Sequence, residues 1–308
     1  MIDLRKEKIA VLAGGVSCER EVSLLSGKAV CEALSSLGFS VVPVDPVDGF
    51  LKTLKRESIR VAFLALHGTF GEDGTIQRLL DEAGIWYTGS DAAASGRAFD
   101  KAQSQSLFKK AGIRVPDHVF LKKGEKLPVQ KIPSWPCVVK PASSGSSVGI
   151  SLVAEAPALE KACREAFQYS DTVVIERYIR GRELTVGILD REPLPVVEVV
   201  VQRPFYDYQA KYGDFGTRYL FPAPLEGRLA EAIQHTALRA HEVLGCRVMS
   251  RVDILLSPDE KTYVLEVNTI PGLTAKSLLP KAAQAAGIDF PALCVKILQV
   301  STALKKNA

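Results

Sequence analysis

The chain has 308 residues, 47% of them apolar, enough to bury two or three cores rather than one. Its 39 basic and 35 acidic residues leave a net charge of +4 that is spread out, with only short basic pairs such as Lys122-Lys123 and Lys305-Lys306, which excludes the basic footprint of a nucleic-acid binder. No apolar run approaches the length of a membrane span and Met1 to Glu7 lacks a signal-peptide apolar segment, so a cytoplasmic protein with no membrane partner is expected.

The first elements are a short apolar run, Lys8 to Leu12, ending in Ala13-Gly14-Gly15, and an amphipathic stretch from Glu19 to Leu37 stopped by Gly38. That pattern is strand, glycine turn, helix. Val41 to Val44 and Val61 to Leu66 read as strands and Gly74 to Ala83 as a helix, so roughly the first hundred residues alternate in a doubly wound, parallel-sheet manner. Ligands of such sheets bind at the C-terminal strand ends, here Gly14-Gly15 and His67-Gly68. A second region holds a helix Lys101 to Lys110, strands Val115 to Leu121, Cys137 to Lys140 and Ser151 to Val153, a helix Ala156 to Phe167 and a strand Thr172 to Tyr178. Strands around Leu194 to Gln202, a loop Pro204 to Tyr219, a helix Glu226 to Leu244, a hairpin and a final helix pair follow. The expected fold class is α/β, in part α+β, with domains over 1–100, 101–186 and 187–308. Six cysteines without CxxC spacing read as reduced thiols, not a zinc site.

The hairpin carries the chemistry. Met249 to Leu256 and Thr262 to Asn268 are joined by a turn cluster, and a four-residue loop Pro258 to Lys261 sets Asp253 opposite Glu266 and Arg251 opposite Asn268. Side chains alternate along a strand, so all four share one face, while Val252, Ile254, Leu265 and Val267 face a core. Two carboxylates about 5 Å apart repel by roughly 3 kcal/mol at an effective dielectric near 20, so a cation is expected between them. The oxygen-only set Asp253, Glu266 and Asn268 suits Mg²⁺ completed by water and substrate phosphates, which implies a nucleotide.

Two further strand ends have nucleotide-binding character. Lys140-Pro141 precedes a run of small residues, Ser143 to Gly149, whose backbone can lie close over phosphates while the lysine supplies charge; a flexible loop is the alternative. Glu176-Arg177-Tyr178-Ile179, followed by Glu183, can offer backbone groups and acids to an adenine edge and a ribose, or simply be solvated. No Walker A or kinase signature is present, and Gly14-Gly15 lacks the spacing of a nicotinamide-dinucleotide fingerprint.

Six ordered blocks now resemble the D-alanine–D-alanine ligase family of ATP-grasp enzymes over essentially the whole chain. They are Gly14 to Ser23, His67-Gly68 with Gly71 to Gly74, Lys140-Pro141 with Gly145 to Gly149, Tyr208 with Lys211-Tyr212, Arg251 to Asp253, and Glu266 to Thr274. The resemblance implies a three-domain ATP-grasp fold and two-step amide synthesis. One D-alanine carboxylate takes the γ-phosphoryl group of ATP, and the amine of a second D-alanine then displaces phosphate.

By the same resemblance, Asp253, Glu266 and Asn268 would hold two Mg²⁺ ions, with Mn²⁺ able to substitute. Lys101 and Lys140 would bind phosphates, with Ser147 in the covering loop. Glu176 and the backbone of Arg177, Tyr178 and Ile179 would frame adenine, and Glu183 the ribose. Arg251 and the N–H of Gly272 would steady the tetrahedral oxyanion. Glu19 would take the ammonium of the first D-alanine, in a set with Ser146 and Tyr212, although an acid at a helix start is also what the helix dipole favours. Ser277, the N–H of Leu278 and Lys211 would hold the second carboxylate, although serine there is also a common N-cap. His67 is either near the first substrate or a structural hydrogen-bonding group. Relatives that make D-alanyl-D-lactate often lose the loop tyrosine, so Tyr212 favours D-alanine over D-lactate or D-serine. A homodimer is implied. A non-catalytic nucleotide-binding module would lack at least one of Lys140, Arg251, Asp253, Glu266 and Asn268, and all five are present.

Overall fold

Short apolar runs separated by glycine turns build the N-terminal sheet of this computed structural model, which describes residues 3–127, 129–145, 148–200 and 217–304. Strands β1 (Lys8–Leu12), β2 (Ser40–Val44), β3 (Val61–Leu64) and β4 (Trp86–Tyr87) are all parallel, in the order β2-β1-β3-β4. β3 is buried along its whole length and β1 nearly so, as strands covered on both faces must be. Helices α1 (Arg20–Ser36), α2 (Phe50–Arg56), α3 (Thr75–Glu82) and α4 (Ala92–Phe99) complete this region. Neither α2 nor α4 is legible as a periodic run. α4 is announced by its cap instead, the Asp91 side chain accepting the Ala94 N–H at 2.8 Å.

α5 (Lys101–Lys110) leads to a second sheet, antiparallel, with strands β5 (His118–Lys122), β6 (Cys137–Pro141), β7 (Ser151–Val153) and β8 (Thr172–Arg177) in the order β5-β8-β6-β7. Helix α6 (Leu159–Ala166) closes its core through Leu159, Ala162 and Cys163.

The third sheet has six strands among the described residues. β9 (Arg182–Leu189) pairs with β10 (Glu192–Pro193) and lies between β11 (Val197–Val200) and β13 (Met249–Leu256); β12 (Arg218–Leu220) and β14 (Thr262–Asn268) form the edges. The sequence reading placed no strand at β9, because Arg182-Glu183 open it and Gly187 interrupts it. Gly187 is there for packing: a Cβ would meet Leu279 Cδ1 at 2.7 Å and Leu194 Cδ1 at 3.1 Å. Helix α7 (Gly227–Val243) covers one face through Ile233, Ala237 and Ala240. The last helices, α8 (Leu278–Ala285) and α9 (Phe290–Leu304), turn back to the N-terminal sheet, and Leu279, Leu293 and Ile297 share one apolar core with Ile9, Val11 and Phe63. Among the described residues no single helix is long and apolar enough to cross a membrane.

The hairpin register corrects the expectation in one detail and keeps its consequence. Leu256 pairs with Thr262, so the loop spans five residues, one more than expected. A bulge between Asp253 and Ile254 then absorbs one residue of β14 and restores Asp253 opposite Glu266 and Arg251 opposite Asn268. The bulge also changes which side chain is buried: Val264, not Leu265, joins Val252, Ile254 and Val267 in the core, and Leu265 turns to the opposite face.

Candidate active site

Alternation along β13 brings Arg251 and Asp253 together on the polar face, and the guanidinium grips both carboxylate oxygens at 2.8 Å. Asn268 adds a bond to Asp253 Oδ2 at 3.2 Å. Opposite, Glu266 meets the ammonium of Lys101, from the first turn of α5, at 3.0 Å. Lys101 also donates to the Ser144 carbonyl at 2.8 Å, tying the hairpin to the loop after β6. The facing carboxylates therefore do not stand as a bare negative pair, as expected from sequence; each is matched by a cation of the chain itself. The reason is long-range pairing of Lys101 with Glu266, which no local pattern reveals. Among the described residues no three His, Cys, Asp or Glu side chains form a metal cage. The donor set nevertheless fits Mg²⁺: two carboxylates and an amide leave coordination positions to water and phosphate, and phosphates can take over the two cations as partners.

The hairpin forms one wall of a cleft between the second and third sheets. Lys101, Lys140, Glu176, Arg177, Tyr178, Ile179, Glu183, Asp253, Glu266 and Leu278 line it, with the apolar Val138, Ile150 and Leu255, which sequence reasoning did not single out, and Leu265, which it assigned to the core. Lys140 and Glu176 are the penultimate residues of β6 and β8, and the antiparallel pairing of these strands joins them. The ammonium lies 2.7 Å from both carboxylate oxygens, with both side chains about 6% exposed. Gln105 of α5 donates to the same carboxylate at 3.2 Å. The lysine read from sequence as needing a partner has one, aimed into the cleft.

At the other end of the hairpin lie the glycine turns of the first sheet. Ser17 donates to the His67 carbonyl at 2.7 Å and accepts the Glu19 N–H at 3.1 Å, so the two turns are stitched together by one hydroxyl. Glu19 stands just before α1, buried, without capping the helix through its side chain. Its carboxylate packs where Cβ atoms of Gly68 and Gly145 would be, 2.6 Å from the former, so two glycines admit it; Gly68 also has φ +72°. The loop after β6 is thereby brought against the first-sheet turns. His67 is buried, with Ser26 Oγ 3.0 Å from Nε2 and a backbone hydrogen bond to Ile270; Ser26 also accepts the Leu273 N–H at 3.3 Å. Burial pushes the imidazole down to about 4, so at pH 7 it is a neutral link between α1 and the segment after β14. Ser277 occupies the N-cap position of α8 yet makes no capping bond; its hydroxyl accepts the Thr274 N–H at 3.1 Å and lies 2.7 Å from where a Gly272 Cβ would be. Gly272 and Ser277 are thus in contact, and Leu278 reaches the cleft.

Glu72 was quoted in a sequence block without a role. Burial, and then the Glu19 carboxylate, push it up to about 8. An acid in the loop following a glycine turn was the only local signal. Ser146, Ser147, Lys211 and Tyr212 lie outside the described residues.

Two antiparallel sheets closing on a shared cleft, with a buried lysine from one and an acidic hairpin from the other, define an ATP-grasp enzyme. The family model for the D-ala D-ala ligase C-terminus matches residues 107–299 and that for the N-terminus residues 46–90. A D-alanine–D-alanine ligase of Syntrophotalea carbinolica is 47% identical, covering 96% of each chain. The crystal structure of the Bacillus anthracis D-alanine–D-alanine ligase complexed with ATP is similar at a TM-score of 0.87 and 35% identity, over 98% of this chain and 99% of that one. The VanG D-Ala:D-Ser ligase of Enterococcus faecalis is similar at 0.84 and 29%, over 96% and 99%. The chain belongs to the D-alanine–D-alanine ligase family.

Proposed function

We propose that the protein joins two D-alanine molecules at the expense of ATP, giving D-alanyl-D-alanine, ADP and phosphate for peptidoglycan precursor synthesis. The observation that carries this is the meeting of three parts at one place: the Asp253–Glu266 hairpin, the Lys140–Glu176 cleft, and Glu19 packed on Gly68 and Gly145. A carboxylate oxygen of the first D-alanine attacks the γ-phosphorus and ADP leaves, turning an oxide into a phosphate leaving group. The amine of the second attacks the acyl carbon, phosphate departs and the amine gives up a proton.

Lys101 and Lys140 hold phosphate oxygens, Glu176 with Arg177 to Ile179 borders the adenine, and Glu183 the ribose. Glu19 orients the first ammonium. Arg251 and the Gly272 N–H stabilise charge on the oxyanion, where loss of one donor typically costs about 10²–10³ in kcat. Gly272, Ser277 and Leu278 receive the second carboxylate, and His67 supports that segment. Asp253, Glu266 and Asn268 would hold Mg²⁺, which when bound screens the phosphate charge.

We further propose a cytoplasmic homodimer with domains over 1–100, 101–186 and 187–308; light scattering of the purified protein tests the dimer. The activity is tested by incubating purified protein with ATP, Mg²⁺ and D-alanine. D-alanine-dependent phosphate release with the dipeptide detected by mass is expected, and no such release sinks the proposal. Adding D-lactate or D-serine in competition decides the acceptor, with D-alanyl-D-alanine expected as the main product.

A further inference from the structure

Gln105 has no part in the steps above, and its buried amide is only half satisfied. It lies on α5 four residues after Lys101, so the two share one helix face. Lys101 reaches Glu266 of the hairpin at 3.0 Å and Gln105 Nε2 donates to Glu176 Oε2 at 3.2 Å, so this face holds a carboxylate from each of the two sheets that wall the cleft. Gln105 is fully buried, and its carbonyl oxygen has no hydrogen-bond partner among the described residues. Such an orphan costs stability that an apolar side chain of the same size would not, so the reason for an amide here has to lie in its N–H. In the free protein that N–H is not needed for charge compensation, because the Lys140 ammonium sits 2.7 Å from both oxygens of Glu176. Lys140 and Glu176 line the cleft, whereas Gln105 is not among its lining residues, so an effect of Gln105 on a ligand passes through Glu176.

We propose that Gln105 is a positioning residue for ATP: it anchors Glu176 beside the base when the phosphates of the ligand draw the Lys140 ammonium toward them. This rests on the ATP-dependent reaction proposed above, in which Lys140 holds phosphate oxygens and Glu176 borders the adenine. A lysine carries its three N–H donors on a flexible stem, and a triphosphate competes with Glu176 for them. Without a second donor the buried carboxylate would either follow the ammonium or hold it back from the phosphates. Gln105 supplies that donor from the helix behind the cleft, so Glu176 stays in place while Lys140 changes partners.

Gln105→Met keeps the length of the side chain and removes the N–H together with the orphaned carbonyl. For the free protein these two losses oppose each other, and the melting temperature is expected to stay within about 2 °C of the wild type. In titration calorimetry the dissociation constant for ATP with Mg²⁺ is expected to rise roughly 10- to 100-fold, the range of a hydrogen bond to a charged group. That for adenosine, which has no phosphate to draw Lys140, is expected to change by less than about twofold. Equal weakening of ATP and adenosine, an ATP affinity within about twofold of the wild type, or a melting temperature lowered by several degrees each makes Gln105 only a brace of the fold and overturns the proposal. Failure of the wild type to bind ATP with Mg²⁺ would instead remove the reading on which it rests.

Discussion

Lys140 and Glu176 leave solvent together, and neither is comfortable there alone. Taking one partner away strands a buried charge, which typically costs about 3–5 kcal/mol, whereas replacing both by neutral groups is far milder. Lys140→Met is therefore expected to lower stability by that amount, measured by denaturant unfolding, because among the described residues Glu176 then keeps only the Gln105 hydrogen bond. The double variant Lys140→Met, Glu176→Gln recovers most of the loss while nucleotide binding stays abolished; a double variant as unstable as the single one would contradict the pairing. Histidine gives a pH dependence of the opposite kind. His67 and His241 are each held down to about 4 by burial. The unfolded chain, with an ordinary value near 6.5, binds more protons between those limits, so stability falls as pH drops from about 6.5 to 4, by up to ~3 kcal/mol for each residue. His241, bonded to Ser250 at 2.7 Å and not among the residues lining the cleft, is the cleaner probe. His241→Leu is expected to flatten that acid loss in unfolding curves at pH 7 and pH 4.5.

At the scale of elements, the hairpin shows how a loop and a bulge cooperate. The five-residue turn alone would place Asp253 opposite Leu265, and the bulge corrects this by one position, which for a period of two is the difference between cleft and core. The two neighbouring apolar residues of β14 consequently do different work. Val264 is fully buried, and Val264→Ala is expected to cost about 2 kcal/mol of stability. Leu265 borders the cleft, so Leu265→Ala is expected to leave unfolding nearly unchanged and to weaken ATP binding in titration calorimetry. Equal destabilisation by both would mean that Leu265 is a core residue after all. Alternation made Arg251, Asp253, Glu266 and Asn268 readable as one face. It could not reveal the bulge, because an extra residue in one strand leaves no trace in composition.

For the whole molecule, the cleft joins two sheets that are otherwise separate packing units, so a ligand there stabilises both. At a concentration a hundred times Kd, ATP contributes about 2.7 kcal/mol, which corresponds to a rise of several degrees in Tm. With Mg²⁺ present this rise is expected in full. With chelator the carboxylates of Asp253 and Glu266 oppose the phosphates and the rise shrinks; an unchanged shift would argue against those residues as metal ligands. The closing of the C-terminal helices α8 and α9 onto the N-terminal sheet belongs to the same scale, since it places Gly272, Ser277 and Leu278 beside turns more than two hundred residues earlier.

What the amino-acid sequence determined by itself is what period and turn chemistry encode locally. That covers most strands and helices to within a few residues, the glycine turns at the ends of β1 and β3, the polar face of the hairpin, and the lysine near the end of β6. Six ordered blocks carried the family. Only the tertiary structure decided the partners: Lys101 with Glu266, Lys140 with Glu176, Glu19 and Glu72 around Gly68, and the central strand β9 between β11 and β13. The physical reason is range. Dihedral preference and side-chain alternation act over a few residues. An ion pair or a sheet neighbour depends on how segments far apart in the chain are brought together, and only the packed core holds that information.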